Sequence, residues 1–105
     1  MYKLGALEEM VILIAAAMRD EAYAVSIAKE YSMQTGNEIS IPAIHTVLKR
    51  LEEKGLLKSY ESSPTPERGG RKKRIYQMTA SGYLLISELR SQRERLWNMI
   101  PKMNI

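Results

Sequence analysis

Arg68, Arg71, Lys72, Lys73 and Arg74 follow one another with no acid between them, and Gly69-Gly70 sits inside the run. Guanidinium and ammonium groups at that density suit a polyanion, and paired glycines let backbone N–H groups approach a phosphate closely. A solvated charged loop is the commoner fate of such a run, so the cluster needs support from elsewhere in the chain. The charge distribution supplies some. Up to Glu53 there are five basic and eight acidic residues, a balance of −3; from Lys54 on there are eleven and four, a balance of +7, giving the overall +4. A basic patch on an otherwise balanced chain points to a polyanion contacted at one place.

Other chemistry has little to draw on. The sequence has no cysteine, which removes a disulfide framework and any cysteine-based zinc site. His45 is the one histidine and Asp20 the one aspartate, so a metal centre, a catalytic triad or an acid–base pair has almost nothing to be built from. No cofactor or metal is expected, and an enzyme is the poorest of the functional classes. The 105 residues make one domain, and 45% hydrophobic with 27% charged content excludes a disordered regulator. The longest apolar run, Met10 to Met18, is nine residues, about half of a bilayer span, and Glu8-Glu9 precede it where a signal peptide needs basic residues. A cytoplasmic protein without membrane contact is expected.

Four helical segments and a hairpin must position the basic run. Leu4 to Met18 are helix formers, apolar on nearly every side, which predicts burial on more than one side. Arg19-Asp20-Glu21 breaks the pattern, and Tyr23 to Gln34 carries Val25, Ile27, Ala28 and Tyr31 at helical spacing, closed by Gly36. The third helix has the clearest signals: Ser40 as N-cap, Pro42 in the first turn, and an Ile39–Ile44 staple. Ile44, Val47, Leu48 and Leu51 define its buried face, and Gly55 ends it. Leu56 to Ser62 and Arg71 to Met78 then read as strands around a Pro- and Gly-rich turn. Thr79 caps a fourth helix that should run to about Ile100, with Met78 and Tyr83 at staple positions.

Three helices followed by a two-stranded hairpin is the winged helix-turn-helix order. The expected fold is mainly α with a small β-hairpin: a winged helix over residues 1–78 and a long C-terminal dimerisation helix over 79–105. The exposed face of the third helix, with Ser40, Ala43, His45, Thr46 and Lys49, has short side chains where a major groove would receive it and longer ones beyond. The wing would add Gly69, Gly70, Arg71, Lys72, Lys73 and Arg74 on the backbone of double-stranded DNA. A module that offers the same wing to an acidic protein partner would use the same residues, and both readings stay open at this point.

The fourth helix repeats Leu85, Leu89, Gln92, Leu96, Met99 and Met103 at 4-3-4-3-4 spacing, a heptad seam. A compact winged helix is complete by about Leu89, which leaves Leu96, Trp97, Met99 and Ile100 without a partner. Burying one such side chain is worth roughly 1.5–3 kcal/mol. A homodimer through this helix, together with the apolar first helix, is the expectation; folding back onto its own domain is the alternative.

The chain resembles the PadR family of bacterial transcriptional regulators. Leu4-Gly5-Ala6-Leu7 matches its leading Leu-Gly-x-Leu, and Tyr23-Ala24 stands where members have Tyr-Gly. Ile44 to Leu56 follows the pattern Leu-Tyr-x-x-Leu-x-Arg-Leu-Glu-x-x-Gly-Leu, with His45 at the tyrosine and Gly55 at the glycine. Gly70 to Gly82 follows a Gly-Arg and basic run leading to Tyr-Tyr-x-Leu-Thr-x-x-Gly. The resemblance implies a homodimeric DNA-binding regulator, usually a repressor, with Tyr23 on the DNA backbone and an imidazole in place of a second phenol. Small members bind flat aromatic compounds between tryptophans at the dimer interface. For Trp97, packing in the dimer seam is the reading taken here, and contact with a small aromatic effector is the alternative.

Overall fold

In a computed structural model, the structure describes residues 4–63 and 72–105. The order is α1 (Ala6–Met18), a single 3-10 turn (Arg19–Glu21), α2 (Ala24–Thr35), α3 (Ile41–Glu53), β1 (Leu57–Glu61), β2 (Arg74–Met78) and α4 (Ala80–Met99). Three helices, a hairpin and a long last helix are thus in the expected order. The core lies where α1, α2, α3 and the hairpin meet. Ile12, Ile27, Ile44, Leu48 and Leu51 are fully enclosed there, with Leu56, Leu57 and Tyr76 brought in from the hairpin side.

Local chemistry explains the boundaries. Helix α1 starts two residues later than the composition suggests because Gly5 is extended and its N–H donates to the Glu8 carboxylate at 3.2 Å. Tyr23, expected to begin α2, is instead its extended cap; its N–H donates to Ser26 Oγ at 3.0 Å. Arg19 carries the chain between them at φ 54°, ψ −126°, the one non-glycine positive φ among the described residues. Helix α3 begins as its sequence dictates, with Ser40 Oγ accepting the Ala43 N–H at 3.2 Å. It ends in a Schellman turn: Gly55 adopts φ 74° and the Leu56 N–H donates to the Leu51 carbonyl at 2.9 Å.

The hairpin is shorter than its composition suggests, five residues per strand, antiparallel, with Leu57 opposite Met78 and Glu61 opposite Arg74. Leu56, expected as the first strand residue, is consumed by the Schellman turn, while the Ser62 N–H to Lys73 carbonyl bond (2.7 Å) prolongs the pairing without a full ladder step. The Tyr76 N–H donates to the Ala22 carbonyl at 2.8 Å, so the return strand is docked onto the start of the helix-turn-helix unit.

Thr79 sets the origin of α4. Its Oγ1 accepts the Gly82 N–H at 3.0 Å and donates to the Gly55 carbonyl at 2.7 Å, while its own N–H reaches the Leu56 carbonyl. Tyr83, expected to staple onto Met78, is 62% exposed, so the threonine clasp and not that contact fixes the start. The first half of α4 packs on the core through Gly82, Leu85 and Ile86. Its second half runs past the domain.

Candidate nucleic-acid interface

The two faces of α3 divide as an amphipathic helix should. Ile44, Val47, Leu48 and Leu51 are buried, and His45, Thr46, Lys49 and Arg50 are exposed. Ala43 is half-buried at the N-terminal end. The Ser40 hydroxyl is occupied as the helix cap, and Thr46 Oγ1 donates back to the Pro42 carbonyl at 3.1 Å, which leaves the oxygen's lone pairs able to accept. Arg50 lies within electrostatic reach of Glu8 on α1.

The wing reaches the same side of the molecule as this helix. Lys73 is half-buried with its Nζ 3.9 Å from the centroid of the Tyr23 ring, a cation–π contact that ties the return strand to the cap of α2. Lys72 and Arg74, one residue to either side, instead face Glu61 at 3.9 and 3.5 Å, and Arg74 also donates to Ser59 Oγ at 3.0 Å. The alternation is the period-two geometry of a strand. Tyr76, next inward, is buried; burial pushes its phenol pKa up, Glu52 adds to the rise, and Arg74 opposes it. Gly69, Gly70 and Arg71, expected at the wing tip, lie outside the described residues.

Between these elements lies an open cleft of about 260 Å³, whose lining includes Tyr23, Val25, His45, Lys72, Lys73 and Arg74. The structure therefore brings together Tyr23, His45 and the described wing cations, which come from three separate stretches of sequence. It keeps Ser40 and Thr46 in local hydrogen bonds. Glu61 was not among the sequence candidates. Its signal is the hairpin register, since a strand pairing that sets Glu61 opposite Arg74 places a carboxylate beside the basic run. Among the described residues, no group of three or more His, Asp or Glu side chains could hold a metal ion.

A second surface lies at the other end. Leu96, Trp97, Met99 and Ile100 are 63%, 72%, 76% and 56% exposed, whereas Leu89 is half-buried. Leu96, Trp97 and Ile100 continue, at i+3 and i+4 steps through Leu89 and Arg93, the face that carries Gly82 and Ile86 against the core. Arg93 itself pairs with Glu9 of α1. Met10 and Leu13 of α1 are also exposed, and with Ala17, Glu30 and Gln34 they edge a groove of about 490 Å³. No helix is long and apolar enough to cross a membrane, among the described residues.

Comparison with curated proteins gives no match. Solved structures do match. A PadR family transcription regulator from Clostridium difficile is 26% identical with a TM-score of 0.70, over 90% of this chain and 92% of that one. A PadR-like transcriptional regulator from Bacillus cereus superposes with a TM-score of 0.73 at 18% identity, over 90% and 86%. One from Eggerthella lenta, also described as PadR family, has a TM-score of 0.64 at 23% identity, over 88% and 80%. The last two show a shared fold. The family model for the transcriptional regulator PadR-like family matches residues 12–88, a span that takes in α2, α3, the wing and the packed half of α4. With most of its length inside that match, the chain belongs to the PadR-like family of transcriptional regulators.

Proposed function

We propose that the protein is a sequence-specific repressor that binds a pseudo-palindromic operator as a homodimer. Each protomer places α3 in a major groove, the two helices about 34 Å apart along the duplex. Ala43 and Thr46 meet base edges at the point of entry. Tyr23, His45, Lys49 and the wing cations hold the sugar-phosphate backbone, with the capped N-terminus at Ser40 beside them. Residues 1–78 serve as the DNA-binding unit and residues 79–105 as the dimerisation helix, with Leu89, Leu96, Trp97, Met99 and Ile100 in the seam.

The observation that carries this reading is the convergence of His45 from the exposed α3 face, Tyr23 and Lys73 on one cleft. A helix exposed merely to solvent gives no reason for a lysine from the hairpin to be stacked beside it. Burial of the overhanging α4 residues against a second copy would remove an apolar surface that water does not favour.

Selection of bound genomic fragments followed by gel-shift titration tests the function. One palindromic duplex should be bound in strong preference to random DNA. If the dimer neutralises roughly 6–10 phosphates, affinity should fall about 10³–10⁵-fold between 50 and 200 mM salt. Equal binding of all duplexes with a shallow salt slope would instead favour an acidic protein partner for the same wing.

A further inference from the structure

His45 is the only histidine in the sequence, and it is exposed on α3 rather than packed in the core. It borders the cleft that Tyr23 and the wing close from the other sides. Lining the cleft with it are Tyr23 from the cap of α2 and Lys72, Lys73, Arg74 and the buried Tyr76 from the return strand; Lys49 stands one turn further along its own helix, and Glu52 of that helix acts on Tyr76. Among the described residues, no carboxylate lines the cleft. Glu61 of the hairpin is turned to Lys72 and Arg74. An imidazole on a helix side chain, ringed by cations and opening to solvent, is placed to meet an anion.

We propose that His45 makes DNA binding proton-linked: a phosphate seated in this cleft accepts a hydrogen bond from the imidazolium, so each protomer takes up a proton at His45 as it binds. The proposal rests on the DNA-binding reading above and assigns it a regulator, pH. Neutral imidazole has one N–H donor and one acceptor, whereas imidazolium has two donors and a charge that a phosphate favours. Because the protonated form is preferred in the complex, affinity is highest at low pH and is lost as pH rises through the titration of the bound state. His45 is the one histidine in the sequence, so replacing it isolates the pH response to one side chain.

The test follows the anisotropy of a labelled generic duplex of about 30 base pairs, long enough to span two successive major grooves, with the full chain at fixed salt. Phosphate contacts do not depend on sequence, so no operator need be known. The parent protein should lose about tenfold in affinity per protomer from about pH 5.5 to 8, with a steeper salt slope at the lower pH by about one counterion per protomer. His45→Gln should bind without pH dependence, and at the weaker level. His45→Lys should bind at the stronger level throughout, which separates a lost charge from a damaged fold. A flat pH profile in the parent, or an undiminished one in His45→Gln, overturns the proton linkage and leaves the DNA reading standing. No binding at any pH overturns both.

Discussion

The α-carbon of Gly82 sits so close to the backbone of Leu56 that a Cβ built on it would lie 2.3 Å from the Leu56 carbonyl oxygen. Met78 Cγ at 3.0 Å and Ile12 Cδ1 at 3.2 Å close the remaining directions. The first turn of α4 is therefore pressed onto the turn that ends α3, and the Thr79 bonds to Gly55 and Gly82 hold it there. Glycine within a helix normally costs about 1 kcal/mol relative to alanine. Here the sign reverses, because the neighbour that must give way is backbone.

Gly82→Ala should lower stability by about 1–3 kcal/mol, a fall in Tm of roughly 4–8 °C per kcal/mol for a chain of this size. Ser81→Ala, one residue earlier and exposed, should change Tm little. Thermal unfolding followed by circular dichroism measures both, and an unchanged Gly82→Ala melt would show that the two turns can separate freely.

Much of the fold was legible because its punctuation is local. Ser40, Gly55 and Thr79 each set a boundary through bonds made within a few residues, and side-chain types alone announce those bonds. The site was legible residue by residue but not as an arrangement. Nothing in the spacing of Tyr23 and Lys73, fifty positions apart, says that one stacks on the other; that contact depends on Tyr76 docking onto Ala22. The strand ends were misjudged for a related reason: Leu56 is apolar enough for a strand, yet the Schellman turn needed its N–H.

Glu8 links α1 to the end of α3. Its carboxylate accepts from Lys54 Nζ at 2.7 Å and from the Gly5 N–H. Burial pushes its pKa up, but the Lys54 hydrogen bond, the Gly5 N–H and the charges of Lys54 and Arg50 together hold it below the usual carboxylate value. A carboxylate so depressed stabilises the fold above its unfolded pKa, and that contribution is lost as pH falls through the folded value. Glu8→Gln should therefore cost about 1 kcal/mol near neutral pH, and its Tm should converge on the parent's in acid. Paired melts across an acid titration check this; a constant gap would mean that the carboxylate's charge is not what counts.

The exposed end of α4 makes a prediction about mass. Leu96 and Ile100 lie on the continuation of the helix face that packs on the core, yet both are more than half exposed. If a second copy covers them, the double variant Leu96→Asp, Ile100→Asp should sediment as a monomer and keep the parent's helical content. Trp97, 72% exposed in the single chain, then reports independently: its emission should be blue-shifted in the parent and move to longer wavelength in the variant. A monomeric parent, or an unchanged mass in the variant, would sink the dimer.

Glu61 is the wing's own counter-ion. Lys72 and Arg74 approach it at 3.9 and 3.5 Å, both across an exposed strand face, while Lys73 is held on the Tyr23 ring. Exposed pairs of this kind contribute about 0–1 kcal/mol to folding, so removing the acid should leave Tm nearly unchanged. Its effect on DNA should be larger and of opposite sense to ordinary interface damage. In the proposed DNA complex, Glu61→Gln takes a negative charge away from the wing and frees two cations to meet phosphates, so affinity for any duplex should rise several-fold, with a steeper salt dependence. Because phosphate contacts carry no sequence information, the ratio of operator to random binding should stay nearly constant. A single gel-shift series at two salt concentrations measures all three quantities. Weaker binding by Glu61→Gln would mean that the carboxylate orients Lys72 and Arg74 toward the backbone and does not compete with it.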